Sequence, residues 1–307
     1  MRNCLYLFFL VILFSACKKD KPLSGEKRLV STTTFSSNGP IYQDFQYDAL
    51  GRLTKRVTRQ DGVLTVTAGL NYTGNEVAIT YPTEPSITQQ DTRYQLDGSQ
   101  RPSRRIFSHF EDFTSPQGFG PEKHFGSDTT NYEYNASGFL FRYNGVLKDS
   151  FSYYPTIGVL QNSTNTVRYT AVYEMEGGNL KSIKRSSVKN YFQVNQPPGT
   201  TYSSQQTEEE TTVFYYDKNY PNKFDFRNAF LLTELDVLPF HQYTPNAGFL
   251  NFPNKAITTR ITKNTAGNII STDVDTQEVN LDFDKDGYIS GWNFDPQAKQ
   301  AFIYSRF

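Results

Sequence analysis

The sequence predicts an all-β protein, an antiparallel meander of hairpins, and three observations carry that reading. The first is the palette. Of 307 residues, 21 are Tyr and 25 are Phe, while Met and Cys number two each. Good helix formers are sparse and Thr, Ser, Asn and Gly are common, the composition of strands and turns. The second is alternation. In VLTVTAGLNY (63–72), Leu64, Val66, Ala68, Leu70 and Tyr72 point one way, and Thr65, Thr67 and Asn71 the other. Val167, Tyr169, Ala171, Tyr173 and Met175 likewise share one face of TVRYTAVYEM. One apolar and one polar face define an antiparallel sheet covered on one side.

The third observation is a recurring unit of aromatic strand, tight turn and second strand. It appears as FQYDALGRLTK (45–55), NYTGNEV (71–77), YQLDGSQR (94–101), YEYNASGFLFR (132–142), YEMEGGNLKSI (173–183), KNTAGNIIS (263–271) and LDFDKDGYIS (281–290). The turn glycines fall at Gly51, Gly74, Gly98, Gly138, Gly178, Gly267 and Gly287. Most are separated by one or two units of about 20–24 residues, the length of one hairpin with its turns. Glycine supplies the positive φ of the turn, and the Asp or Asn before it bonds the turn backbone.

Two stretches depart from the pattern. QVNQPPGTTYSSQQTEEETT (193–212) is polar and contains Pro197 and Pro198, and it reads as a long exposed loop or hairpin tip. Residues 224–240 form a dense apolar cluster in which Leu231, Leu235 and Leu238 fit a short helix ended by Pro239. This short helix or irregular apolar segment is expected to pack over the sheet or plug its opening.

The N-terminus, MRNCLYLFFLVILFSACKKD, has one early positive charge, an apolar run from Leu5 to Phe14, and Ser15-Ala16 before Cys17. The run is too short to span a membrane and reads as an export signal. The Ser-Ala-Cys ending resembles a bacterial lipobox, which implies lipidation of Cys17. The expected organisation is a signal peptide at 1–16, a lipidated tether at 17–28 and one β domain at 29–307. Acyl chains hold such a protein at a membrane surface of the cell envelope, with the outer membrane as the expected site. Cys4 leaves with the signal and Cys17 carries lipid, so no thiol remains for a disulfide, a zinc site or a nucleophile. With 31 basic and 31 acidic residues, the chain has no nucleic-acid footprint.

The stretch DFDKDGYIS (282–290) has half the spacing of a calcium loop: Asp282, Asp284 and Asp286, then Gly287. The twelfth position is Asn293, which cannot give a bidentate carboxylate, and the flanks alternate like strands. A hairpin turn with solvated carboxylates is the expectation. His109, His124 and His241 lack close metal spacing and read as strand or loop residues. GFGPEKHFG (118–126) reads as a loop, Glu208–Glu210 as a solvated charge run, and Trp292 as a core residue. No nucleophile–base order or nucleotide fingerprint stands out, so no catalytic residue, metal or cofactor is assigned.

YDALGRL, with Tyr47, Asp48, Gly51, Arg52 and Leu53, resembles the YD-repeat core of bacterial shell-forming repeat proteins. The chain from about residue 29 onward is similar to Bacteroidota lipoproteins of unknown function with a porin-like fold. The shared features are the Ser-Ala-Cys start, the aromatic Asp/Asn-x-x-Gly turns and the NFPNKAITTRITKN…LDFDKDGYIS ending. That resemblance implies a large meander curved into a barrel or half-barrel and assigns no activity. The row Ser305, Ile303, Ala301 and Lys299 is a poor lipid-facing edge, so a tethered barrel is expected in place of a spanning one. The expected function is non-enzymatic binding of a glycan, peptide or envelope protein through the loops at 111–128 and 193–212. The alternatives are an accessory subunit of an outer-membrane complex and a glycan or peptide hydrolase.

Overall fold

The computed structural model describes residues 27–36, 39–81, 87–114, 121–156, 159–196, 199–218, 220–221, 250–295 and 298–306. The segment at 224–240, His241 and the N-terminus with Cys17 lie outside the described residues. The described residues form one antiparallel sheet of seventeen strands. The first six are β1 (Lys27–Ser36), β2 (Gly39–Tyr47), β3 (Leu53–Gln60), β4 (Val63–Thr73), β5 (Glu76–Thr80) and β6 (Ile87–Leu96). Long strands follow: β7 (Pro102–Thr114), β8 (Pro121–Tyr134), β9 (Leu140–Thr156), β10 (Val159–Glu176), β11 (Asn179–Gln196) and β12 (Thr200–Tyr215). The last are β13 (Lys255–Asn264), β14 (Ile269–Glu278), β15 (Asn280–Phe283), β16 (Ile289–Asp295) and β17 (Ala298–Arg306).

Neighbours in sequence are neighbours in the sheet from β1 to β14 and again from β15 to β17. β17 then pairs with β1, from Lys27↔Arg306 to Phe35↔Lys299. Only Val279 separates β14 from β15, so residues 269–283 pair first with β13 and then with β16. The antiparallel meander is the one the alternation predicts, and it curls into a nearly closed barrel, as the resemblance implies.

One turn recurs five times with one set of bonds. The side-chain Oδ1 of Asp48, Asp97, Asn135, Asn264 or Asp284 accepts the backbone N–H groups two and four residues on, at 2.8–3.0 Å. The fourth residue is left-handed: Gly51, Gln100, Gly138, Gly267 and Gly287, with φ between 61° and 85°. The second copy corrects the sequence reading. Gln100, not Gly98, holds the strained position there, tolerated because Asp97 already fixes the backbone on both sides. Arg52 and Arg101, one residue past that position, return an ion pair to Asp48 and Asp97, each at 2.7 Å. Each guanidinium also lies 4.3 Å from the ring centre of a tyrosine, Tyr72 or Tyr134. These tyrosines donate their hydroxyls to the Leu53 and Pro102 carbonyls, both at 2.9 Å.

Four of these turns, with Gly74–Asn75 and Gly177–Gly178, line the rim at which β1 begins; the Asn264 turn faces the other way. Leu29, Phe45, Leu53, Leu70, Val77, Leu96, Leu140, Leu180, Phe214, Leu281 and Ile289 are buried beside this near rim and form the core with Trp292 and Phe252. Trp292 is a core residue, as its sequence context predicts. β9 to β12, at 16–18 residues, outreach the other strands and raise a wall on one side toward the far rim.

The wall overturns three loop expectations. Most of 193–212 belongs to β11 and β12, and 111–114 and 121–128 belong to β7 and β8. The GFGPEKHFG stretch correspondingly enters β8 at Pro121. These stretches are mostly polar, with only scattered apolar side chains such as Phe125 and Tyr202, so hydropathy alone does not mark them.

Asp48→Ala removes two accepted backbone bonds and the Arg52 partner, and is expected to destabilise the fold by about 1–3 kcal/mol in urea unfolding. Asp48→Asn keeps the Oδ1 acceptor and should cost less.

Candidate functional site

Cross-strand register settles which side chains share a face. Tyr143, Gly145, Leu147, Asp149 and Phe151 of β9 stand opposite Tyr132, Thr130, Asp128, Gly126 and His124 of β8. On their other side they meet Ala171, Tyr169, Val167, Asn165 and Ser163 of β10. Ala171, Val167 and Tyr173 on this face are buried, so it is the barrel's inner face. Arg142, Arg168, Lys184 and Ser186 alternate with it on the outer face and are exposed. A shallow trough of about 560 Å³ on that outer side runs past Asn131, Arg142, Asn144, Arg168 and Thr170. The outer wall carries these charges together with the exposed Val172 and Phe192.

Three groups of residues climb the inner face. Lowest is an ion-pair cluster. Glu210 accepts from Arg185 at 2.5 Å and from Arg260 at 2.8 Å, and Glu208 pairs with Lys189 at 2.9 Å. The charge run Glu208–Glu210 is therefore not simply solvated. The pleat turns Glu208 and Glu210 inward and Glu209 to the other face, where it meets Lys263 at 2.7 Å. Burial would push the Glu210 carboxyl up, but the two guanidiniums hold it below its ordinary value. A recess of about 210 Å³ adjoins it, lined by Tyr143, Tyr169, Arg185, Ser187, Glu208 and Glu210. The Tyr169 hydroxyl donates to Asp128 at 2.6 Å, and its phenol is raised by burial and by that carboxylate. Gly145 makes room for this ring, since a Cβ there would strike the Tyr169 hydroxyl.

The second group is a histidine cluster. His109 stands opposite Gly126 in register, and Gly126 stands opposite Asp149. His124, two residues before Gly126, fills the gap. His109 Nε2 lies 3.2 Å from His124 Nδ1, and His124 Nε2 lies 2.5 Å from Asp149 Oδ1. Glu111 Oε2 is 3.6 Å from His124 Nδ1. Burial, and then the neighbouring His124, lower the pKa of His109. The sequence reading placed His109 and His124 on strands or loops, and strands hold them. It gave no sign that they meet, because fifteen residues and an unread hairpin separate them.

The third group is a platform of half-exposed rings and amides near the far rim. Phe151, Tyr153, Tyr191 and Tyr202 share the inner face with Gln161, Asn165, Gln193 and Asn195. Tyr191 and Tyr202 rings are 6.0 Å apart, and the Tyr191 hydroxyl donates to Gln193 at 2.6 Å.

The acidic stretch at 282–290 is a turn. Lys27 Nζ lies 2.6 Å from both Asp284 and Asp286, so an ammonium of the chain itself sits between two of the three carboxylates. Asp282 lies instead against Gly291, its partner across the strand pair.

No protein-family model matches the chain, and no curated protein matches it. Solved structures similar to it include a porin-like protein from Bacteroides vulgatus, at 13% identity with a TM-score of 0.49, covering 92% of this chain and 100% of that one. A porin-like protein from Bacteroides uniformis is 10% identical with a TM-score of 0.44, covering 92% of this chain and 99% of that one.

Glu210→Ala removes the carboxylate shared by Arg185 and Arg260, although Arg260 keeps Glu208 at 3.4 Å, and is expected to destabilise the protein by about 1.5–3 kcal/mol. Because the Glu210 carboxyl is held low, its contribution is complete above its ordinary value of 4.5 and fades as pH falls through the folded value. Thermal melts across pH 2.5–7, roughly spanning the carboxylate range, should show a smaller acid loss in Glu210→Gln than in the parent.

Proposed function

We propose that this chain is a non-enzymatic binding module of the cell envelope, tethered by a lipid on Cys17, and that its inner wall takes a glycan. The observation that carries the reading is the platform of Phe151, Tyr153, Tyr191 and Tyr202 interleaved with Gln161, Asn165, Gln193 and Asn195. Aromatic faces suit the C–H faces of sugar rings, and side-chain amides offer both donors and acceptors to hydroxyls. Aromatic area with a few placed polar groups is the usual make-up of a small-molecule site. The exposed Arg142, Arg168 and Lys184 on the outer wall support a tethered barrel over a spanning one. Cys17 precedes the first residue of β1 by ten positions, a reach of at most about 35 Å. The tether therefore holds the near rim toward the membrane and leaves the far rim and its platform facing away.

A second reading, an accessory subunit of an envelope complex, is favoured by β14. Its Ile269, Ile270 and Val274 are exposed, and among the described residues it pairs with β13 alone. Such an edge accepts a partner strand.

Thermal melts of the full chain in detergent, with a panel of soluble glycans, test the first reading. A ligand at 100 times its Kd adds about 2.7 kcal/mol. One glycan class should raise Tm, and Tyr191→Ala with Tyr202→Ala should abolish the rise while leaving the ligand-free Tm close to the parent's. No shift with any glycan, together with cross-links from position 270 to an envelope protein, would favour the accessory reading. Cys17→Ala should move the protein from the membrane to the soluble fraction; retention in the membrane would contradict the tether.

A further inference from the structure

We propose that His109, His124 and Glu111 form a binding site for a divalent transition-metal ion such as Zn²⁺ on the inner wall, with Asp149 orienting His124. The site adjoins the glycan platform through Phe151 but differs from it in chemistry and does not depend on that reading. Tetrahedral Zn²⁺ with bonds to nitrogen and carboxylate oxygen of about 2.0–2.2 Å places neighbouring donors roughly 3.3–3.5 Å apart. His109 Nε2 and His124 Nδ1 are 3.2 Å apart, and Glu111 Oε2 is 3.6 Å from that same Nδ1. The donor atoms of His109, His124 and Asp149 all lie within 4.8 Å of one another; Glu111 stands outside that group, beside His124 alone, and would reach the ion by a turn of its side chain. Asp149 Oδ1 is too close to His124 Nε2, at 2.5 Å, for both to ligate one ion. That distance fits an N–H donated from the far side of the ring to a carboxylate. This is the outer-shell arrangement that fixes the tautomer and sharpens the basicity of a metal-ligating histidine. The ion would replace the proton shared between the two imidazoles.

The rings are held for this. His124 stacks on Phe151, with centroids 3.9 Å apart and planes 11° from parallel, and His109 packs against Phe107 at 5.4 Å. Gly126 completes the site by having no side chain. Its backbone is not left-handed, so conformation does not demand glycine there. Space does: a Cβ at 126 would collide with the His109 imidazole. Two imidazoles and a carboxylate select Zn²⁺, Cu²⁺ or Ni²⁺ over Ca²⁺ and Mg²⁺, which prefer oxygen.

The test is calorimetric titration of ZnCl₂ into the full chain in detergent after EDTA treatment, with Co²⁺ absorption as a second readout. The parent should bind one equivalent of Zn²⁺ and give an intense visible Co²⁺ spectrum of a four-coordinate nitrogen–oxygen site. His109→Ala and His124→Ala should each weaken binding more than about 100-fold, beyond the roughly 10–100-fold expected of the outer-shell variant Asp149→Asn. Gly126→Val should displace His109 and weaken binding with every donor still present. His241→Ala, the third histidine, should leave binding unchanged. No Zn²⁺ binding by the parent, or binding that survives both histidine substitutions, would overturn the site. Should those variants fail to fold by circular dichroism, the parent's Co²⁺ spectrum decides: absence of the intense bands overturns it.

Discussion

An antiparallel sheet of seventeen strands has two long hazardous edges unless it curls on itself; β17 meets β1, and among the described residues the edge that remains is β14. Everything else about the chain follows from that closure. It gives the sheet an inside, so that residue parity becomes an assignment to lumen or exterior. It also places the first and last strands of the domain side by side, more than 260 residues apart in sequence, with β1 held by β17 on one flank and by β2 on the other.

Within the nearly closed sheet, two tasks are separated by height. Beside the near rim, the inward side chains are Leu, Ile, Val and Phe, and the Asx turns and tyrosine hydroxyls seal the hydrogen bonding of the strand ends. Burial there supplies the hydrophobic stabilisation. Further up, the same inward parity carries Arg185, Glu210, Asp128, His109 and His124. An apolar floor lets the wall above be polar, because the wall's residues need hydrogen bonds more than they need a core. The long strands β9 to β12 extend this polar surface on one side only, which makes the inner face there a wall instead of a uniform pore.

The fold was legible because its local signals agree. The alternation of Val167, Tyr169, Ala171 and Tyr173 states the inner face of β10, and Asp48-x-x-Gly51 states the turn that recurs around the barrel. Legibility fails where the physics is no longer local. Gly98 looks like the turn glycine of its copy, but Asp97 fixes the register and leaves Gln100 to take the left-handed position. The β11–β12 hairpin is polar over most of 195–212, with Tyr202 its one aromatic there, so its strands resemble a loop. The histidine cluster was hidden for a related reason. His109 and Gly126 become partners only through the β7–β8 hairpin, and the polar composition of 111–128 hides its strands. A correct hairpin register would have shown Glu111 opposite His124 at once. The partner of Asp284 and Asp286 is Lys27, about the whole length of the domain away, and no spacing rule reaches that far.

The position of Lys27 has a mechanical consequence. It is the first residue of β1, and its ammonium is clasped by the carboxylates of the β15–β16 turn. Tension arriving from the residues before it runs along the axis of β1 and across the hydrogen bonds on both flanks. Those bonds are loaded together in shear and cannot be opened one at a time. A pull on the N-terminus therefore meets the barrel's seam at its strongest orientation, with the Lys27 clasp as the first element to yield.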